Sequence, residues 1–155
     1  MKIGVTGHQE LENAEWVRAE LLKVLGSHKT PLTGITSLAK GADQLFAEVV
    51  LECGGTLEVV VPFEGYADEF DEQGRAAYEK LLAQASEADT LPSASSHEES
   101  YFCAGKAIVG RSALMIAVWD GKPAAGLGGT ADIVEYARQQ SKRLIHINPE
   151  TETVM

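Results

Sequence analysis

Apolar and polar positions alternate along this chain in two rhythms. Leu114–Trp119 is a short apolar run without a polar break, the pattern of a strand covered on both sides, and Lys2–Thr6 and the branched-residue-rich Leu57–Val61 also read as strands. Weaker runs at Thr33–Ser37, Ala88–Leu91 and Arg143–Ile147 read as further strands. Between them the apolar residues recur at helical spacing. Ala14, Val17, Leu21 and Leu25 form one stripe, closed by Gly26-Ser27, with Asn13 or Gln9 near its start as the cap. Ala42, Leu45, Phe46, Val49 and Val50 form a second stripe, ending near Gly54-Gly55. Phe70, Ala77, Tyr78 and Leu81 line a third helix running to about Ala85, although Gly74 argues against it. Ser96 with Glu99 makes a capping box for a fourth helix over Tyr101 to Gly110. Ile133, Val134 and Ala137 face inward on a fifth, which follows Thr130.

Six strands alternating with five helices predict an α/β fold of three layers, with a mostly parallel sheet of five to six strands covered on both faces. Pro62 stops the third strand, and Phe63–Asp68 and Pro92–Ser96 read as loops. Residues 1–149 form one domain, and the tail Glu150–Met155 is expected to fray or to pack on a partner. There is no internal repeat and no linker. Sheets of this kind bind ligands beyond the carboxyl ends of their strands. Three glycine-punctuated turns fall there: Gly7-His8, Ser37 to Gly41, and Asp120 to Thr130.

Composition narrows the field. The 155 residues are 45% hydrophobic, enough for a real core. No apolar run approaches membrane-spanning length. The chain enters a strand at once, which predicts no secretion signal and a cytoplasmic setting. Cys53 and Cys103 share no metal-ligand spacing, and His28, His97 and His146 are widely separated, so neither a metal nor a cofactor is indicated. A formal charge of −10 argues against extended nucleic-acid binding, which needs many cations. A small anion held by backbone amides remains compatible with that charge.

The chemistry concentrates in the turns. Gly128-Gly129-Thr130 opens a helix directly after a loop from the central strand, a recipe for holding phosphate on free backbone N–H groups. Thr130 is the foremost side chain for a phosphate contact. His8 is placed to donate to a phosphate or ribose oxygen, and Lys40 to lie near phosphate. Asp43 caps the turn at Gly41 or ties a neighbouring loop. Asp120 ends the central strand, and either accepts from a ligand hydroxyl or organises the glycine loop. Trp119 reads equally as a base-stacking ring or as core. Asp120, Asp132, Glu135 and Lys106 are the candidates for catalysis, although Asp132 is also explained by the helix dipole. Tyr66, Glu69, Arg75, Glu98, Tyr101 and Arg111 rank second. The chain contains neither G-x-G-x-x-G, nor G-x-x-x-x-G-K-[ST], nor G-x-S-x-G, which disfavours a dinucleotide fingerprint, a P-loop and a hydrolase elbow.

The segments GVTGH (Gly4–His8), SLAKGADQLFAE (Ser37–Glu48), VPF (Val61–Phe63) and LMIAVWDG with GLGGTADIVEYA together resemble the SLOG superfamily. That Rossmann-like group includes the LOG phosphoribohydrolases, the DprA core and YpsA-like proteins. The resemblance implies a nucleotide or nucleotide-derived ligand over Gly7, the Ser37–Gly41 loop and Gly128–Thr130, and self-association into a homo-oligomer. LOG enzymes carry P-G-G-x-G-T-x-x-E, whose glutamate serves N-glycosidic cleavage together with an upstream arginine. Here Asp120-Gly121 stands in place of Pro-Gly, Ile133 in place of the glutamate, and Lys106 nearest the arginine. The expectation is therefore a nucleotide-binding module. The alternatives are a nucleoside 5′-monophosphate N-glycosidase and a deoxyribosyltransferase-like enzyme, which shares a similar strand-then-GT loop and would need a carboxylate nucleophile.

Overall fold

The computed structural model describes residues 1–28, 31–123 and 127–155. The expected loop between Asp120 and Gly128 therefore lies partly outside the described residues. Among those described, the order is β1 (Lys2–Gly7), α1 (Ala14–Gly26), β2 (Thr33–Thr36), α2 (Ala42–Glu52), β3 (Thr56–Val61), a 3₁₀ turn (Tyr66–Glu69) and α3 (Glu72–Leu82). There follow β4 (Glu87–Thr90), α4 (His97–Arg111), β5 (Leu114–Val118), α5 (Thr130–Gln139), β6 (Arg143–Asn148) and β7 (Thr153–Val154).

The strands form a single sheet in the order β4-β3-β2-β1-β5-β6-β7. All pairings are parallel except β6 with β7. The chain winds outward from β1 to β4, then crosses to the far side of β1 and winds outward again from β5. That reversal makes a topological switch point between β1 and β5, where the loops leaving adjacent strands diverge and open a crevice.

Burial follows the apolar rhythm. All of β5 is buried, and β3 is buried from Leu57 onward. One core layer packs Val17, Leu21 and Leu25 of α1 with Phe46 and Val50 of α2 and Leu81 of α3. The other packs Ala104, Ile108 and Val109 of α4 with Ile133 and Ala137 of α5. Glu58, 6% exposed within β3, is neutralised by Lys2 Nζ at 3.1 Å and Arg111 at 3.5 Å, which satisfies a charge that would otherwise be costly to bury.

Four local expectations change. The tail adds β7 to the sheet edge: His146 and Met155 exchange both backbone hydrogen bonds, at 3.0 and 2.9 Å, because the turn at Asn148 folds the chain back. The sheet thus has one strand more than expected. Asn13 holds the N-cap position of α1 but caps nothing; its Nδ2 donates to the Pro149 carbonyl at 2.9 Å. The third helix begins after Phe70, with Asp71 as its cap, and ends at Leu82. Gly74 lies in its first turn, where its N–H donates to Asp71 Oδ1 at 2.7 Å, so the penalty of an interior glycine does not apply. Ser96 caps α4 as its pattern predicts, accepting from the Glu99 N–H at 3.1 Å.

Candidate functional site

The switch point opens into a cavity of about 760 Å³. Gly7 and His8 enter it from the end of β1, Ser37 and Lys40 from the end of β2, Trp119 and Asp120 from the end of β5, and Gly128–Thr130 from the start of α5. Asp43 lies at its floor. Of the ligand-binding candidates, only Gly41 is absent from this lining; it borders a shallower hollow beside α1 and α2.

Two of the turns are tied internally. At the β2–α2 turn, Asp43 is 7% exposed and accepts from the Ala39 N–H at 3.3 Å. The Ser37 N–H and the Thr36 hydroxyl also donate to it. Leu38, buried with φ of 56°, supplies the left-handed step that turns successive amides inward. The Ser37 and Ala39 amides thus hold the chain's own carboxylate, while the Leu38 N–H donates to Thr36 Oγ1 at 3.0 Å. Burial raises the Asp43 carboxyl to about 6, outweighing the donors that favour its charged form. Gly41, φ +85°, passes so close to the β1–α1 turn that a Cβ would lie 2.6 Å from the His8 carbonyl oxygen, which itself accepts from the Ala42 N–H at 3.0 Å. Glycine is needed there for architecture.

At the start of α5, the Gly128 N–H donates to Asp132 Oδ2 at 3.0 Å. Gly128, φ +86°, presses against α4, where a Cβ would lie 2.8 Å from the Glu98 carbonyl. Among the described residues, none accepts from the Gly129, Thr130 or Ala131 N–H. These are the orphan donors of a helix start, and all three residues face the cavity.

The third turn carries a histidine–aspartate contact. His8 Nε2 accepts from the Asp120 N–H at 3.0 Å, which leaves the ring proton of neutral His8 on Nδ1. Asp120 Oδ1 accepts from the Lys122 N–H at 2.9 Å and lies 3.3 Å from His8 Nε2. The Lys122 N–H foremost, and the charge of His8 when its ring is protonated, hold the Asp120 carboxyl below the usual range. Trp119 is 9% exposed; its Nε1 donates to the Lys122 carbonyl at 2.9 Å, and its ring neighbours are His146 and Arg138. Lys40 contacts Glu10 and Asp71, each at 3.6 Å, spanning the crevice mouth.

The remaining catalytic candidates stand apart from the cavity. Glu135 is exposed and pairs with Gln139 at 3.4 Å. Lys106 sits over the Phe102 ring, 4.8 Å from its centroid. Asp132 is held by the loop it caps. Arg111 lies at the opposite end of the sheet, paired with Glu58 and Asp89, and Arg75 pairs with Asp68 and Glu79. The second-rank residues Tyr66, Glu69 and Tyr101 do line the cavity, as does Phe70, which the helical pattern assigns to the core. Their signal in the sequence is Phe63, Tyr66 and Phe70 at spacings of three and four, one-sided in a segment read as loop. Among the described residues, no three His, Cys, Asp or Glu side chains are placed to share a metal ion, and no helix is long and apolar enough to cross a membrane.

No family model and no curated protein matches the chain. Solved structures do match in fold. DNA processing protein A (DprA) from Streptococcus pneumoniae superposes with a TM-score of 0.67 at 17% identity, over 94% of this chain and 49% of that one. The Helicobacter pylori DprA, described for its single-stranded DNA binding mode, gives 0.65 at 15% identity, over 94% of this chain and 64% of that one. A molybdenum cofactor binding protein from Rippkaea orientalis gives 0.61 at 16% identity, over 95% and 76%. The chain thus spans about half the length of the first and less than two thirds of the second. It shares with them a three-layer α/β fold built on a mostly parallel sheet.

Proposed function

We propose that the chain binds a nucleotide or nucleotide derivative in the β1–β5 crevice, with the ligand phosphate at the start of α5. The observation that carries this reading is the division of labour among the loop amides. Those of Ser37 and Ala39 are occupied by Asp43, that of Leu38 by Thr36 Oγ1 and that of Gly128 by Asp132, whereas Gly129, Thr130 and Ala131 line the cavity with N–H groups that have no partner among the described residues. A phosphate completes such a helix start and gains from its dipole. The His8 ring, with its proton on Nδ1, and the Thr130 hydroxyl add side-chain donors at the same mouth. Neighbours of this fold are described as binding single-stranded DNA and a molybdenum cofactor. For this chain the charge of −10 favours a small phosphate ligand over extended nucleic acid.

Cleavage of the N-glycosidic bond is the second reading. It requires a carboxylate or a proton donor beside the reacting sugar. Glu135 points outward, and Ile133, where the LOG pattern has glutamate, is 3% exposed. Asp43 and Asp120 remain on the cavity wall, both engaged by backbone donors. Incubation with AMP, CMP and deoxynucleotides, followed by chromatography for free base alongside calorimetric titration, separates the two. Saturable binding without base release is expected; free base would favour the enzyme.

A further inference from the structure

The cavity has a second end that the phosphate contacts leave unexplained. Tyr66, Phe70 and Tyr101 line it together. The rings are held by one another: Tyr66 packs edge-on against Phe63, Phe70 and Tyr78, at centroid distances of 5.7, 5.0 and 5.4 Å, and Tyr101 leans on Phe63 at 5.8 Å. Behind them His97 stacks on Phe63 at 4.2 Å and binds Glu69 through Nδ1 at 2.6 Å, which ties the start of α4 to the 3₁₀ turn. The wall is thus prearranged before any ligand arrives.

Two further observations mark this wall as a binding surface. The Tyr66 ring is 5% exposed, and its hydroxyl carries no hydrogen bond to the described residues and is not sealed off, so that it is open to the cavity that Tyr66 lines. A phenol oxygen left open in an otherwise packed aromatic wall is available to a ligand. Moreover, a cavity of about 760 Å³ has the size of sites that enclose whole organic ligands, and a phosphate at α5 leaves most of it empty.

We propose that Tyr66, Phe70 and Tyr101 form the subsite for a planar heteroaromatic base, with the Tyr66 hydroxyl as its hydrogen-bonding partner. This rests on the nucleotide reading for the other end of the same ligand. Aromatic side chains give a base a stacking surface that tolerates different ring edges, and a single phenol adds orientation. Burial, and after it the charge of Asp43, raises the Tyr66 phenol above its usual value, so the group donates as well as accepts at neutral pH. Trp119 is the less suitable stacking partner, because its indole N–H is tied to Lys122 and its ring is packed among His146 and Arg138.

Calorimetric titration with ribose 5-phosphate, adenosine and AMP tests the two ends separately. AMP is expected to bind roughly ten- to hundredfold more tightly than ribose 5-phosphate. Tyr101→Leu is expected to remove most of that advantage and to leave ribose 5-phosphate binding unchanged. Tyr66→Phe, which keeps the packing, is expected to weaken adenosine and AMP alone by about three- to tenfold. Equal affinities for AMP and ribose 5-phosphate, or a Tyr101→Leu variant that weakens both equally, would overturn the base subsite. Adenosine binding without ribose 5-phosphate binding would instead overturn the phosphate reading and leave the aromatic subsite standing. If neither binds, both fall. Melting curves of the two variants establish that they are folded.

Discussion

Asp43 is where side-chain chemistry and architecture pull in opposite directions. Its carboxyl is raised to about 6 from a usual 3.8, with burial as the dominant cause. Between these values the folded chain holds more protons at this site than the unfolded chain does, so its contribution to stability is fully present below pH 3.8 and is lost as pH rises through about 6. The loss is on the order of 3 kcal/mol. Asp43→Asn cannot ionise, so the stability difference between wild type and variant is expected to change by that amount between pH 4 and 7. Urea denaturation across this range measures it; a difference that does not vary with pH would refute the assignment. Sequence logic placed Asp43 at a helix start but not its three donors, because Thr36, Ser37 and Ala39 reach it only through the left-handed turn at Leu38.

At the scale of elements, α5 and the carboxyl-terminal strand each make a prediction. Asp132 sits in the first turn of α5, where its charge both favours the helix and competes with any anion placed there. Asp132→Asn keeps an acceptor for the Gly128 N–H and removes that charge. Binding of ribose 5-phosphate at low salt is expected to strengthen by about two- to fivefold. Weaker binding with an unchanged melting temperature would count against phosphate at this helix end. The β6–β7 pairing covers Ile147, which is fully buried. Removing residues 151–155 is expected to lower the melting temperature by about 2–4 °C, as for a loss near 1 kcal/mol in a domain of this size. An unchanged melt would show that the tail adds nothing. That tail reads as polar and frayed because its pairing depends on the turn at Asn148, whose Oδ1 accepts from the Glu150 and Thr151 N–H groups at 3.0 and 3.2 Å.

Across the whole molecule, a formal charge of −10 opposes binding to a phosphate backbone. With 13 basic against 23 acidic residues, the chain as a whole repels such a backbone. Lys2, Lys40, Arg18, Arg75 and Arg111 each contact at least one carboxylate. A single-stranded oligonucleotide is expected to show no saturable binding at about 100 μM and physiological salt, outside the range typical of non-specific binders. Fluorescence anisotropy with a labelled oligonucleotide measures this, and a steeply salt-dependent, saturable curve would contradict it.

The order of strands and helices, the buried faces and the capping of α4 were all legible in the sequence, because they depend on local periodicity and on contacts a few residues apart. So was the meeting of three turns at one end of the sheet, since parallel βαβ connections send every strand's carboxyl end the same way. Tertiary structure alone decided which amides stay open. The Gly128 N–H is closed by a carboxylate one helical turn away, and those of Ser37 and Ala39 by a carboxylate that burial keeps near titration. Tertiary structure also set Glu135 outside the crevice and brought Phe70 and Tyr101, distant in sequence, to one wall within it. The physical reason is that a residue's chemistry depends on what faces it, and in a parallel sheet those partners come from other turns of the winding.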